Sequence, residues 1–149
     1  MNDDQKPRLD SQLDYSLLGD DHVRVYRVTN GEKGYIWNGS PILLLTTTGR
    51  KSGEPRTIPI IYTGYKDSYV IIASKGGSPV HPVWYLNILD DPNVELQVKA
   101  EKFKAVARTA ESPEREQIWS EAVKNWPRYD EYQARTSRRI PVVVLDRVG

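Results

Sequence analysis

The sequence predicts an α+β protein, an antiparallel barrel or sheet of about six strands with short helices inserted between them. Three observations carry this. Short β-type runs recur at Ile42–Thr48, Arg56–Thr63, Tyr69–Ala73, Val94–Val98, Phe103–Ala107 and Ile140–Leu145. The first three lie too close together in sequence for parallel crossovers. Helix signals are confined to brief segments bounded by proline and glycine. A chain of 149 residues is one domain with enough length for a real core.

In chain order, residues 1–14 are polar and read as a flexible N-terminal arm preceding a domain over 15–149. Leu17, Leu18, Val25 and Val28 have a weak helical period, which predicts a helix near Asp21–Asn30 ended by Gly31 and Gly34. Ile42–Thr48 passes from aliphatic residues into three threonines as a strand. Gly49 and Gly53 then bracket a polar hairpin tip. Pro59 restricts the Arg56–Thr63 strand to an edge or bulge. A turn at Lys66-Asp67 leads to Tyr69–Ala73, expected to be antiparallel to its two predecessors. Ser74–Ser78 is a glycine-rich turn, and Pro82 opens a short helix reaching Leu89.

Val94, Leu96 and Val98 alternate with polar residues as a half-buried strand, and a turn at Glu101-Lys102 precedes the next one. Ser112-Pro113-Glu114 predicts a helix start with a serine cap and proline in first position. Ile118, Trp119, Ala122 and Val123 supply that helix's buried stripe, and Pro127 interrupts it at Trp126. The unbroken apolar run Ile140–Leu145 predicts a final strand buried on both faces.

Composition excludes several functions. Twenty-one basic residues against twenty acidic leave +1, too little to recruit nucleic acid through a global field. The longest apolar run, Ile140–Leu145, is too short to span a membrane. The N-terminus lacks the apolar stretch of a signal peptide, so a cytoplasmic protein is expected. With no cysteine and two distant histidines, His22 and His81, neither thiol chemistry nor a metal site is expected.

Thr46–Arg56 is the richest chemical cluster. Arg50, Lys51 and Arg56 surround a glycine-bracketed loop suited to a phosphate or carboxylate. Leu44 stands where a nucleotide P-loop needs glycine, and the chain runs strand to strand, so that motif is rejected. A solvated hairpin tip explains the same charges equally well. Ala73-Ser74-Lys75-Gly76-Gly77 adds a hydroxyl, an ammonium and glycines that permit close ligand approach. Between Gly49 and Gly77, five cations (Arg50, Lys51, Arg56, Lys66, Lys75) face two anions (Glu54, Asp67), which points to an anionic small ligand. Trp84 and Asn87 share one helix face, as a core tryptophan and capping asparagine would. Trp126, Tyr129 and Tyr132 repeat every third residue; their polar tips fit a pocket wall better than a plain core stripe.

Three longer phrases, LLLTTTGRKSGEPRTIPIIY (Leu43–Tyr62), VIIASKGGSPVHPVWYLNILDDPNVELQV (Val70–Val98) and WPRYDEYQARTSRRIPVVVL (Trp126–Leu145), together resemble the deazaflavin-dependent nitroreductase family of actinobacteria. These are flavin/deazaflavin split-barrel oxidoreductases, and the resemblance runs from about residue 20 to the C-terminus. It implies a split β-barrel flanked by short helices and the cofactor F420, an 8-hydroxy-5-deazaflavin with an anionic phospholactyl-glutamate tail. Arg50, Lys51 and Arg56 would hold that tail. Ala73, Ser74, Lys75 and Gly76 would line the phosphate and ring edge, and Pro59, Trp84, Tyr85 and Asn87 would pack on or bond the cofactor. Tyr129 and Tyr132, with Trp126, match positions beside the substrate. Two departures stand out: Trp126 occupies a position where a relative has tyrosine, and Ile58 replaces an asparagine.

The implied chemistry is hydride transfer from C5 of the reduced deazaflavin to a quinone, with nitroaromatic or nitroimidazole compounds as adventitious acceptors. Ser74, Tyr129 and Tyr132 are the candidate catalytic residues. An FMN-dependent reductase on the same barrel and a non-catalytic deazaflavin or lipid carrier are the alternatives. The resemblance leaves open a homodimer and peripheral contact with the inner face of the cell membrane.

Overall fold

Eight strands and four helices make up residues 13–148, the part described by the computed structural model. The strands are β1 (Ile36–Trp37), β2 (Ser40–Thr48), β3 (Pro55–Ile61), β4 (Thr63–Tyr65), β5 (Ser68–Ile72), β6 (Asn93–Val98), β7 (Glu101–Thr109) and β8 (Val142–Arg147). The helices are α1 (Gly19–Thr29), α2 (Val83–Asp90), α3 (Glu114–Asn125) and α4 (Arg128–Ala134). Every pairing is antiparallel. The order is β1-β2-β6-β7-β8-β5-β4, with β3 on the other edge of β2.

Tyr62 alone separates β3 from β4, yet β3 pairs with β2 at one end of the sheet and β4 with β5 at the other. One kinked ribbon therefore curls the sheet back on itself into a split barrel. The Asn125 amide holds the kink by donating to the Tyr62 carbonyl at 2.9 Å and the Thr63 hydroxyl at 3.1 Å. Pro59 is tolerated because β3 pairs only with β2, so its missing N–H falls where no ladder bond is required.

The period-2 alternation of the strands distributes the core over two faces. Leu43, Leu45, Ile71, Val143 and Leu145 point into the barrel with Leu96, Ala105, Tyr85 and Ile88. Val70, Ile72, Val142 and Val144 point outward beneath Ile118, Ala122 and Trp126 of the α3–α4 side. Ile42 and Leu44 lie beneath Val23 and Tyr26 of α1. Strands covered on both sides have no polar face, which explains the unbroken apolar runs.

Several local expectations are corrected. The Tyr69–Ala73 run is antiparallel to its predecessor as expected, with Thr63 opposite Val70, but its other edge is taken by the last strand, β8. The Arg56–Thr63 run is split at Tyr62, and the two short strands β1 and β4 were too brief to show a period. The turn after β6 is at Lys99-Ala100, where Lys99 takes a positive φ of 55°, so Glu101-Lys102 already belong to β7. Ser112 does not cap α3: Pro113 takes the cap position and the serine hydroxyl donates to the Glu116 carboxylate. On α1 the buried residues are His22, Val23 and Tyr26, whereas Leu18 and Val28 are exposed. Of the proposed N-terminal arm, residues 1–12 lie outside the described residues. Leu13 packs on the α3–α4 core, and Asp14 exchanges backbone bonds with the Asn38 side chain. Among the described residues no helix is long and apolar enough to cross a membrane.

Candidate active site

Two adjoining clefts collect most of the singled-out residues. The first, about 480 Å³, is lined by Thr47, Gly49, Arg50, Lys51, Ser52, Arg56, Ile58, Val83, Trp84 and Asn87. Its floor is the β2–β3 hairpin tip, closed by Gly49 N–H to Glu54 O and Gly53 N–H to Gly49 O, both at 2.8 Å. A β-carbon on Gly49 would meet the Ser52 hydroxyl at 2.7 Å, so the tip is built around that glycine. Asn87, 2% exposed, reaches from α2 to fasten the tip. Its Oδ1 accepts the Arg50 N–H at 3.1 Å, and its Nδ2 donates to the Thr47 hydroxyl at 3.0 Å. With both ends of its amide engaged, Asn87 positions the cationic loop.

The second cleft, about 560 Å³, is lined by Pro59, Ile72, Ser74, Lys75, Gly76, Trp84, Trp126, Tyr129 and Tyr132, among others. Ile58 and Trp84 border both clefts, making them continuous. The wall at Lys75–Gly77 turns tightly through three positive φ values of 46°, 62° and 84°. Gly76 faces open space, with nothing within 4 Å of where a β-carbon would stand. Ser74 is 8% exposed and Tyr129 5%, and neither hydroxyl has a hydrogen-bond partner among the described residues. Desolvation, reinforced by Tyr132, pushes the Tyr129 phenol well above its ordinary pKa, so it stays protonated and able to donate into alkaline solution. Trp126 stacks at 5.8 Å on Trp37, and its indole N–H donates to the Tyr132 hydroxyl at 3.4 Å.

Two expected ligand contacts are absent from the cleft linings. Tyr85 points into the barrel core, where its hydroxyl bonds Thr109 at 2.9 Å. One helical step turns it about 100° around α2 from Trp84, off the cleft and into the core. Tyr85→Phe is therefore expected to cost about 1 kcal/mol of stability and to leave turnover unchanged. Lost turnover at unchanged stability would return Tyr85 to the site. Ala73 is fully buried, with its N–H on Pro141 O at 3.0 Å, so it serves as backbone behind the wall.

The structure also adds wall residues that sequence reasoning passed over: Leu13, Tyr15, Leu18, His22 and Trp37. Trp37 is held by its indole N–H on Leu17 O at 3.0 Å and by Tyr15 edge-on at 5.9 Å. His22 bonds Gly34 O through Nε2 at 2.7 Å. The one available signal was a tryptophan stranded between the turn residues Gly34 and Gly39. His81 is structural: its Nδ1 accepts from Arg138 at 3.2 Å and its ring packs on Tyr85.

The donor set fits a flat ring carrying an anionic tail. The Ser74 and Tyr129 hydroxyls, without a hydrogen-bond partner among the described residues, and an open glycine lie in the aromatic cleft, and three cations line the adjoining one. The match to known proteins has the same content. The family model for F420H(2)-dependent quinone reductases matches residues 20–147. An F420H(2)-dependent quinone reductase of Mycobacterium tuberculosis is 44% identical over 130 residues, covering 85% of this chain and 87% of that one. The solved structure of an F420-H2 dependent reductase, FDR-A, superposes with a TM-score of 0.67 at 43% identity, covering 71% of this chain and 94% of the other. A solved domain-swapped dimer superposes at 0.69 with 38% identity, over 83% of this chain and 95% of that one. The chain belongs to the F420H(2)-dependent quinone reductase family.

Proposed function

We propose that the two clefts together hold one reduced coenzyme F420. Its anionic tail lies on Arg50, Lys51 and Arg56, its ring lies along Ser74, Lys75 and Gly76, and a quinone acceptor rests against Trp126, Tyr129 and Tyr132. The observation that carries this reading is the continuity of a cationic cleft with an aromatic one through Ile58 and Trp84. When bound, the reduced deazaflavin supplies a hydride from C5 to the acceptor. The chain's own residues bind, orient and exclude water. Guanidinium groups suit bidentate carboxylate and phosphate contacts. Pro59, Trp84 and Trp126 give the flat, apolar surfaces that hold stacked rings.

The hydroxyls of Ser74 and Tyr129 are free to donate to an acceptor oxygen as negative charge develops there. Like any tyrosine phenol, Tyr129 is a donor through the neutral range, and burial, which raises its pKa further, keeps it so into alkaline solution. Ile58, an apolar side chain at the junction of the clefts, supplies packing and no hydrogen bond.

Titration with F420 and separately with FMN, followed by tryptophan fluorescence, tests the reading, because Trp37, Trp84 and Trp126 all line the clefts. Saturable quenching by F420 with FMN much weaker is expected; the reverse preference would keep the fold and overturn the cofactor. Tyr129→Phe is expected to retain F420 affinity while menadione turnover falls about tenfold, the worth of one hydrogen bond to a charged centre. Wild-type turnover would remove Tyr129 from the chemistry.

A further inference from the structure

Beyond Ala73, whose N–H bonds Pro141 O, the 73–78 wall of the aromatic cleft turns through consecutive left-handed residues and pairs with no strand among the described residues. Its backbone carbonyls are instead gathered by one side chain that lines neither cleft. Arg138 donates from Nη1 to Ala73 O at 3.2 Å, from Nη2 to Ser74 O at 2.8 Å and from Nε to Ser78 O at 2.8 Å. Nη1 also donates to His81 Nδ1 at 3.2 Å. Arg135 adds a bond to Gly76 O at 3.0 Å. Among the described residues no carboxylate pairs with Arg138, in contrast to Arg108, Arg139 and Arg147. Desolvation accordingly lowers its pKa with no acidic neighbour to oppose the shift.

We propose that Arg138 is a positioning residue for the ring cleft: its planar fork fixes the 73–78 backbone so that the Ser74 hydroxyl and the open side of Gly76 meet the ligand, and its uncompensated charge behind that wall favours an electron-rich ring. The inference rests on reading this cleft as the deazaflavin site. A guanidinium is needed because three carbonyls are served at once by three different nitrogens, Nε, Nη1 and Nη2, of one rigid fork. An ammonium on a flexible stem retains the charge but not the fork.

The test uses the full chain as Arg138→Lys, Arg138→Gly and, as a control for simple loss of a neighbouring charge, Arg139→Gln. Arg139 bonds Ser112 and Glu116 away from the clefts. Arg138→Lys is expected to raise the F420 dissociation constant about tenfold and lower kcat, the loss expected for charged hydrogen bonds. The menadione KM should change less than about twofold, and the melting temperature should stay near that of Arg139→Gln. Arg138→Gly should lose more and recover partly in millimolar guanidinium chloride, which refills the fork; a merely structural defect would not recover.

Wild-type F420 affinity and kcat in Arg138→Lys would overturn the inference, as would a folded Arg138→Gly that guanidinium does not restore. If Arg138→Gly does not fold, Arg138→Lys decides alone. A wild-type protein that binds no F420 would overturn the reading of the cleft and this inference with it. Variants equal to a wild type that does bind would overturn the inference alone.

Discussion

Gly77→Ala is expected to destabilise the protein by about 3–4 kcal/mol, combining left-handed strain with an overlap that cannot relax, and to abolish F420 binding. Gly77 has φ +84°, and a β-carbon there would meet the Tyr132 carbonyl oxygen at 2.6 Å and the Arg135 β-carbon at 2.9 Å. Neither side can retreat. Tyr132 is part of the core beneath α4, and the Gly77 N–H is tied to Ser74 O at 2.9 Å. Gly76→Ala is the matched comparison: its φ is +62° but nothing lies within 4 Å, so only the backbone penalty of about 1–2 kcal/mol applies. Urea unfolding of both variants reads the difference. Equal stabilities would mean that α4 does not press on the wall as described.

Asn87→Ala should cost about 2–4 kcal/mol, because it opens a cavity and leaves the buried Thr47 hydroxyl and the part-buried Arg50 N–H without their partner. The Arg50 N–H loses its acceptor and the Thr47 hydroxyl its donor. Loss of the first also frees the hairpin tip that carries Arg50 and Lys51. F420 affinity should therefore fall about tenfold or more although the cations are untouched. Affinity equal to wild type, measured by the same fluorescence titration, would reduce Asn87 to a core residue.

The sequence was most legible where burial is most complete. The apolar run ending at Leu145 predicted a strand covered on both sides, and Val142–Leu145 are all fully buried. The alternation at Val94–Val98 gave β6 in its right place. Pairing was less legible, because short connections mark the neighbours β2–β3, β4–β5 and β6–β7 but carry no sign of the long-range pairs β2–β6, β5–β8 and β7–β8. The tight turns were also misplaced: a positive φ at Lys99 carries no compositional mark. In the site, the motifs found the cations and the glycine wall, since charge and flexibility are written locally. Tyr85 lies in the barrel core rather than on a cleft, because adjacent helix residues are turned about 100° apart, and a motif does not say which is inward. Trp37, His22 and Tyr15 escaped because they reach the cleft from three separate segments. Arg138 escaped for a related reason: its partners are some sixty residues earlier, and an arginine binding carbonyls looks in sequence like any surface cation.

The position of β8 between β5 and β7 also governs how the chain is made. Tyr69 pairs with Leu145 and Ile72 with Val142, so β5 emerges from the ribosome long before its partner is synthesised. Until then Val70, Ile71 and Ile72 present an apolar strand with one bare edge, the condition under which nascent chains associate wrongly. The barrel is therefore completed only after the last strand has left the exit tunnel, at the slow pace set by long-range pairing. Stalled or prematurely terminated chains should depend on chaperones or be degraded, rather than accumulate as partial domains.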